Sequence, residues 1–144
     1  KPVVTWSHIP DEIRNIIFDM LPPTTLVWLN REYYHKYHYV IMGMIKPSRY
    51  QQYVTNMIMG DRVFVFQHIM RENVIRWFKM VTQNKKHHFA GKRYSSFLAF
   101  TLEYAITCGS EKCRRVIEDV CTEVIGPKWH KRNRSSTYKK RWTN

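Results

Sequence analysis

Apolar residues recur at helical spacing in nearly every segment of this 144-residue chain, and the strict alternation of a strand is almost absent. Ile13, Ile16, Ile17, Met20 and Leu21 fall at i, i+3, i+4, i+7 and i+8, one apolar stripe of an α-helix. Pro10 suits its first turn, and Asp11 and Glu12 oppose the positive end of the helix dipole. Pro22-Pro23 stops it. Thr24 or Thr25 is placed to cap a second helix in which Leu26, Leu29 and Tyr33 face one way. An aromatic stretch of Tyr33, Tyr34, Tyr37 and Tyr39 follows, and Pro47 ends the segment.

The same spacing returns after Pro47. Ser48 is placed to cap a helix carrying Tyr50, Tyr53, Val54, Met57 and Ile58. Gly60-Asp61 breaks it, and Asp61 caps the next, which packs Val65, Phe66, Ile69 and Met70. Val74, Trp77, Phe78 and Val81 mark a further short helix. The polar, basic stretch from Gln83 to Tyr94 reads as an exposed loop. Leu98, Leu102, Ala105 and Ile106 mark another helix, ended by Gly109. Ser110 caps the last, whose Cys113, Ile117, Val120, Cys121 and Val124 share a face before Gly126-Pro127. The one β-prone run, Val63–Phe66, lies inside a helical period. The expected fold class is all-α. Its expected core includes Tyr53, Met57, Phe66, Ile69, Trp77, Leu98, Leu102, Ala105 and Ile117.

Length suggests one domain or two very small ones. Hydrophobic residues make up 44% of the chain and aromatics 15%, too apolar for a disordered sequence. The unbroken apolar runs are short, such as Val40–Met42, so no membrane span is expected. No signal peptide is visible, and a start at Lys1 suggests a processed product or a fragment. Three cysteines, Cys108, Cys113 and Cys121, are too few and too odd in number for a disulfide framework, which points to reduced thiols in an intracellular compartment.

Charge divides the chain further. Residues 1–45 carry four basic and four acidic groups, residues 46–127 carry 13 and 7, and residues 128–144 carry 7 and none, for a net charge of +13. The expected organisation is a neutral helical head over 1–46, a moderately basic helical body over 47–127 and a basic, aromatic tail over 128–144.

The head carries a family resemblance. Ile9-Pro10-Asp11-Glu12-Ile13, then Ile17, Leu21, Pro22, Leu26 and Leu29-Asn30-Arg31-Glu32-Tyr33, resemble an F-box over about 35 residues. The second helix is about one turn shorter than the family pattern, and Tyr33 stands where Trp is usual. The resemblance implies that Ile9, Pro10, Ile13, Ile17, Leu21 and Leu26 form an apolar surface for a Skp-type adaptor of a cullin-RING ubiquitin ligase. Further along, Leu102, Ala105, Gly109, Cys113, Val116 and Ile117 are similar to the ankyrin-type pattern, in which a small Ala lets two antiparallel helices approach and Gly turns the chain between them. Asp61, Val65 and Ile69 form a weaker copy. Asp61 and Gly109 lie 48 residues apart, which is not a multiple of the roughly 33-residue ankyrin period, so any repeats are degenerate. An F-box-like start followed by such helix pairs resembles expanded gene families of giant DNA viruses.

Little in the chain suggests catalysis. The Cys108, Cys113 and Cys121 spacing lacks the tight pairs of a structural zinc site, and Cys113 and Cys121 follow the apolar stripe. His35 and His38 are one turn apart without a third partner in sequence. Asp11-Glu12 is a helix start. No metal, cofactor, small-molecule substrate or enzyme activity is expected. The basic segments are the stronger signal. Lys85, Lys86, Lys92 and Arg93 flank His87-His88, and the tail interleaves Lys131, Arg132, Arg134, Lys139, Lys140 and Arg141 with Trp129, Tyr138 and Trp142. Cations neutralise phosphates and flat aromatics stack on bases, so these residues are candidates for binding nucleic acid or an acidic surface. Two functions follow as expectations. One is a non-enzymatic, F-box-like protein–protein interaction module of viral origin. The other is a minor, capsid-associated component of a large DNA virus particle, binding neighbouring virion proteins or nucleic acid through its charge.

Overall fold

The structure is a computed structural model that describes residues 5–130 and 137–138. The chain divides between Pro47 and Ser48 into two compact units. It is mostly helical, with one small sheet.

The first unit opens with a 3-10 turn at Trp6–His8 and α1 at Asp11–Met20, where the Pro10 carbonyl accepts from both Ile13 and Arg14. The second helix is split. Pro23 opens a single turn, α2 (Pro23–Leu26), because a residue without an N–H costs nothing at a first helical position; neither Thr24 nor Thr25 caps it. Asn30 then starts α3 (Arg31–Tyr37) by accepting the Tyr33 N–H at 2.8 Å. A second 3-10 turn, His38–Val40, leads into the single turn α4 (Ile41–Met44). Aromatic packing links these pieces. Phe18 lies 5.5 Å from Trp6 and 5.3 Å from Tyr33, and Tyr33 stacks on Tyr37.

Pro47 closes the first unit and is also the first residue of α5 (Pro47–Met59), where its missing N–H costs nothing. Ser48 therefore lies inside the first turn and is not its cap. α6 runs unbroken over Val63–Thr82, so the two short helices expected there are one. α7 (Phe97–Cys108) is capped by Ser96, whose hydroxyl accepts the Ala99 N–H at 3.1 Å. α8 spans Glu111–Val124. α6 packs against both α7 and α8. The core holds Phe66, Ile69, Trp77, Leu98, Ala105 and Ile117 fully buried, with Tyr53, Met57 and Leu102 half-buried against it.

The stretch from Gln83 to Tyr94 is not a loop. β1 (His87–Phe89) and β2 (Lys92–Tyr94) form an antiparallel hairpin in which His87 faces Tyr94, His88 faces Arg93 and Phe89 faces Lys92. Ala90 and Gly91 join them with φ of 49° and 76°, the doubly left-handed geometry that suits a two-residue hairpin. A third strand, β3 (Thr137–Tyr138), adds to β2, with Tyr138 opposite Arg93 and Thr137 opposite Tyr94. α7 explains why the hairpin forms. Its first five residues, Phe97 to Thr101, are all buried, so it needs cover on the side away from α6 and α8. The hairpin supplies it, with Phe89 4.8 Å and Tyr94 5.4 Å from the Phe100 ring.

The turns after α5 and α7 share one design. Gly109 is left-handed (φ 68°), its N–H bonds the Ile106 carbonyl, and the Ser110 N–H bonds that of Ala105. Asp61 is left-handed too (φ 48°), its N–H bonds Ile58, and the Arg62 N–H bonds Met57. Both are Schellman caps. The expected caps, however, are exchanged. Asp61 does not cap α6; its carboxylate accepts the Cys113 N–H at 2.9 Å, at the start of α8. Ser110 does not cap α8; its hydroxyl donates to the Ile58 carbonyl at the end of α5. Each turn thus sends a side chain to the backbone of the other.

Asp61→Ala should lose about 2 kcal/mol, from the lost cap and the strain of Ala in a left-handed conformation. Asp61→Asn keeps an acceptor and tolerates the backbone, and should lose less than half as much. Urea unfolding followed by circular dichroism reads both; an Asp61→Ala protein as stable as the parent would show the carboxylate bond to be unimportant.

Candidate functional site

Two surfaces carry the expected functional residues. The first is α1. Its stripe is only partly turned inward: Ile17 and Leu21 are half-buried with Phe18, and none of its residues is fully buried. Ile13, Ile16 and Met20 remain 48%, 56% and 78% exposed. Ile9 is half-buried and Pro10 exposed, whereas Leu26 is buried and cannot belong to an open patch. Ile16 and Met20 were legible in the stripe but were not among the residues the F-box resemblance selects. Trp28 and Leu29 are also half-exposed in this unit. Glu12 and Asp19 lie on exposed positions of α1, so its open apolar residues share the helix with acids.

The second surface is the sheet. Its inner side carries His87, Phe89 and Tyr94, held against α7. His88 and Arg93 are exposed and directly opposite each other. Lys85 and Lys86 enter β1 from solvent. The Lys92 ammonium reaches across to Glu103 on α7 at 3.0 Å, and that bond raises its pKa above the ordinary range. Lys92 is therefore first an anchor of the hairpin. The pairing of β3 with β2 brings the tail's backbone to this basic hairpin, which the sequence does not reveal. Lys131, Arg132, Arg134, Lys139, Lys140, Arg141 and Trp142 lie outside the described residues.

Trp129 is a correction. It is not a stacking side chain of the tail but a buried member of the second unit's core, with its indole N–H directed to the Thr122 hydroxyl at 3.3 Å. The compact body extends past residue 127 for this reason: a large apolar ring follows the Gly126-Pro127 break and folds back on α8, where it anchors the chain.

The thiols divide by burial. Cys113 and Cys121 are buried, and burial pushes both up to about 12, with Asp61 adding to the shift at Cys113. Neither is a thiolate at neutral pH, so neither is a nucleophile. Cys108 is exposed. The rings of His35 and His38 lie 6.4 Å apart, and no group of three or more metal-ligating side chains gathers among the described residues. No helix among them is long and apolar enough to cross a membrane. Comparison with protein-family models, curated proteins and solved structures finds no significant match to the chain.

Trp129→Ala should cost about 3–5 kcal/mol of stability, as deletion of a buried Trp does. Trp129→Phe keeps most of the apolar volume and should cost less. Thermal unfolding of both variants checks this; a Trp129→Ala protein as stable as the parent would return Trp129 to the surface.

Proposed function

We propose that the chain is a non-enzymatic protein–protein interaction module, an F-box-like head joined to degenerate ankyrin-like helix pairs. The observation that carries the reading is the apolar face of α1. A short helix that leaves Ile13, Ile16 and Met20 in water gives up burial worth roughly 1.5–3 kcal/mol per large apolar side chain, which a partner would recover. The partner implied by the resemblance is a Skp-type adaptor. The paired Schellman turns after α5 and α7, and the packing of α6 on α8, support the reading of the body as stacked helix pairs. In a pull-down, the full chain should retain a Skp-type adaptor, and Ile13→Asp should abolish retention while leaving the helical spectrum unchanged. Failure of the parent chain to bind removes the ligase reading.

A second reading is favoured by the basic sheet: a minor structural component of a large DNA virus particle, held to acidic neighbours or nucleic acid by charge. Lys85, Lys86, His88 and Arg93 stand on the same hairpin to which the tail's strand is joined. If single-stranded nucleic acid is the partner, affinity should fall steeply with salt, by about 0.7 in log-log slope for each neutralised phosphate. Replacing Lys85 and Lys86 with Gln should flatten that slope, as should replacing Lys139, Lys140 and Arg141. Trp142→Ala should lower affinity and leave the slope. Oligonucleotide binding no stronger than that of a charge-matched peptide would exclude nucleic acid and leave an acidic protein surface.

A further inference from the structure

On the inner side of the hairpin His87 carries the imidazole, a group able to gain a positive charge near neutral pH, and it packs against the aromatic wall of α7. Its ring lies 4.8 Å from Phe97, edge to face, and 4.8 Å from Phe100. Its Nε2 is buried and has no hydrogen-bond partner among the described residues. A neutral imidazole tolerates this, because Nε2 can remain unprotonated while Nδ1 carries the hydrogen. An imidazolium cannot: both nitrogens then carry hydrogens, and a charged N–H has no acceptor. We propose that His87 makes the β1–β2 hairpin a proton-sensitive cover, which lies on α7 when the ring is neutral and is released from it when the ring is protonated.

The surrounding charges do not rescue the cation. His88 neighbours it on β1, and Lys85 and Lys86 precede it. β2 contributes Lys92, Arg93 and the phenol of Tyr94. α7 contributes Tyr104 and Glu103, the one acid among these groups, whose Oε1 pairs with Lys92 and which is not among the causes of the His87 shift. α6 reaches the same cluster through the uncharged Trp77, 4.6 Å from Phe97. The phenols of Tyr94 and Tyr104 stay neutral near neutral pH, because burial raises both above the ordinary value. Burial first, and then His88, lower the pKa of His87 below its ordinary value of 6.5.

The sign follows from linkage. Above about pH 6.5 the ring is neutral whether the hairpin is seated or released, and seating is fully stable. As pH falls from there towards the lower value of the seated state, only the released state gains a proton, so seating weakens. Release would expose Phe97 and Phe100 and separate Lys92 from Glu103. The inference concerns control of the sheet and does not depend on which partner the chain binds.

Two NMR measurements on the full chain test it. Direct titration should show His87 protonating below the ordinary imidazole value of about 6.5. Amide exchange, corrected for intrinsic rate, should show β1–β2 protection falling by about tenfold or more between about pH 7.5 and pH 5, while α8 protection holds. His87→Phe should retain protection at the higher pH and lose the pH response; His88→Gln should keep it. A His87 that titrates at or above 6.5, an unchanged hairpin in the parent, or a pH response that survives in His87→Phe would each overturn the proposal.

Discussion

The exchange of caps between two turns is the interaction on which the second unit depends. A helix end leaves backbone groups without partners, and a buried end without partners is costly. Here the free N–H of Cys113 is met by Asp61, and the carbonyl of Ile58, which already accepts the Asp61 N–H, takes a second hydrogen bond from Ser110. Neither side-chain bond is local: each spans 52 residues of sequence. Asp61 also sits in a left-handed conformation that costs a non-glycine residue about 1–2 kcal/mol. Glycine would avoid the strain, but only a side-chain acceptor can hold α8. The exposed Arg71–Glu123 pair adds a second link between α6 and α8, worth under about 1 kcal/mol at such a position.

With α6 and α8 held side by side, α7 has one wall supplied and the other open. The hairpin closes the open wall with Phe89, Tyr94 and His87, and Lys92 ties it down at Glu103. Packing and charge are therefore coupled in this sheet. The residues that cover the core and those that face outward alternate on the same two strands. Anything that unseats the inner set also disperses the outer one. The first unit presents the opposite case. Its aromatic contacts through Phe18 and Tyr33 turn α1 so that much of its apolar stripe faces outward.

Helices were legible because the 3.6-residue period is local and repeated. The apolar positions of α1, α5 and α8 declare themselves without knowledge of the fold. Breaks were legible where Gly or Pro made them, as at Gly109 and Gly126. Caps were not, because Asp61 and Ser110 have the right chemistry for a local cap and are used at a distance. The hairpin was hidden for two reasons. Its strands are only three residues long, and its turn is Ala90-Gly91 rather than the Asn-Gly that signals a hairpin. Its basic residues made it read as solvent-exposed, although His87, Phe89 and Tyr94 alternate with them as a half-buried strand requires. Trp129 was misplaced because the charges after it dominate the composition of its segment. Ile16 and Met20 are legible as part of the α1 stripe, and their exposure follows from the way α1 is rotated, which no single-helix pattern specifies.

The central claim is that the two helix pairs of the second unit form one body because their turns are locked together. Native-state hydrogen exchange under increasing denaturant tests it most directly. Amides of α5 and α6, read at Val54 and Ile69, should open with the same free energy as those of α7 and α8, read at Phe100 and Ile117. Ser110→Ala should lower all four together. If the α7–α8 amides open at a lower free energy than the α5–α6 amides, or if Ser110→Ala affects one pair alone, the helix pairs are separate and the lock does not hold the unit together.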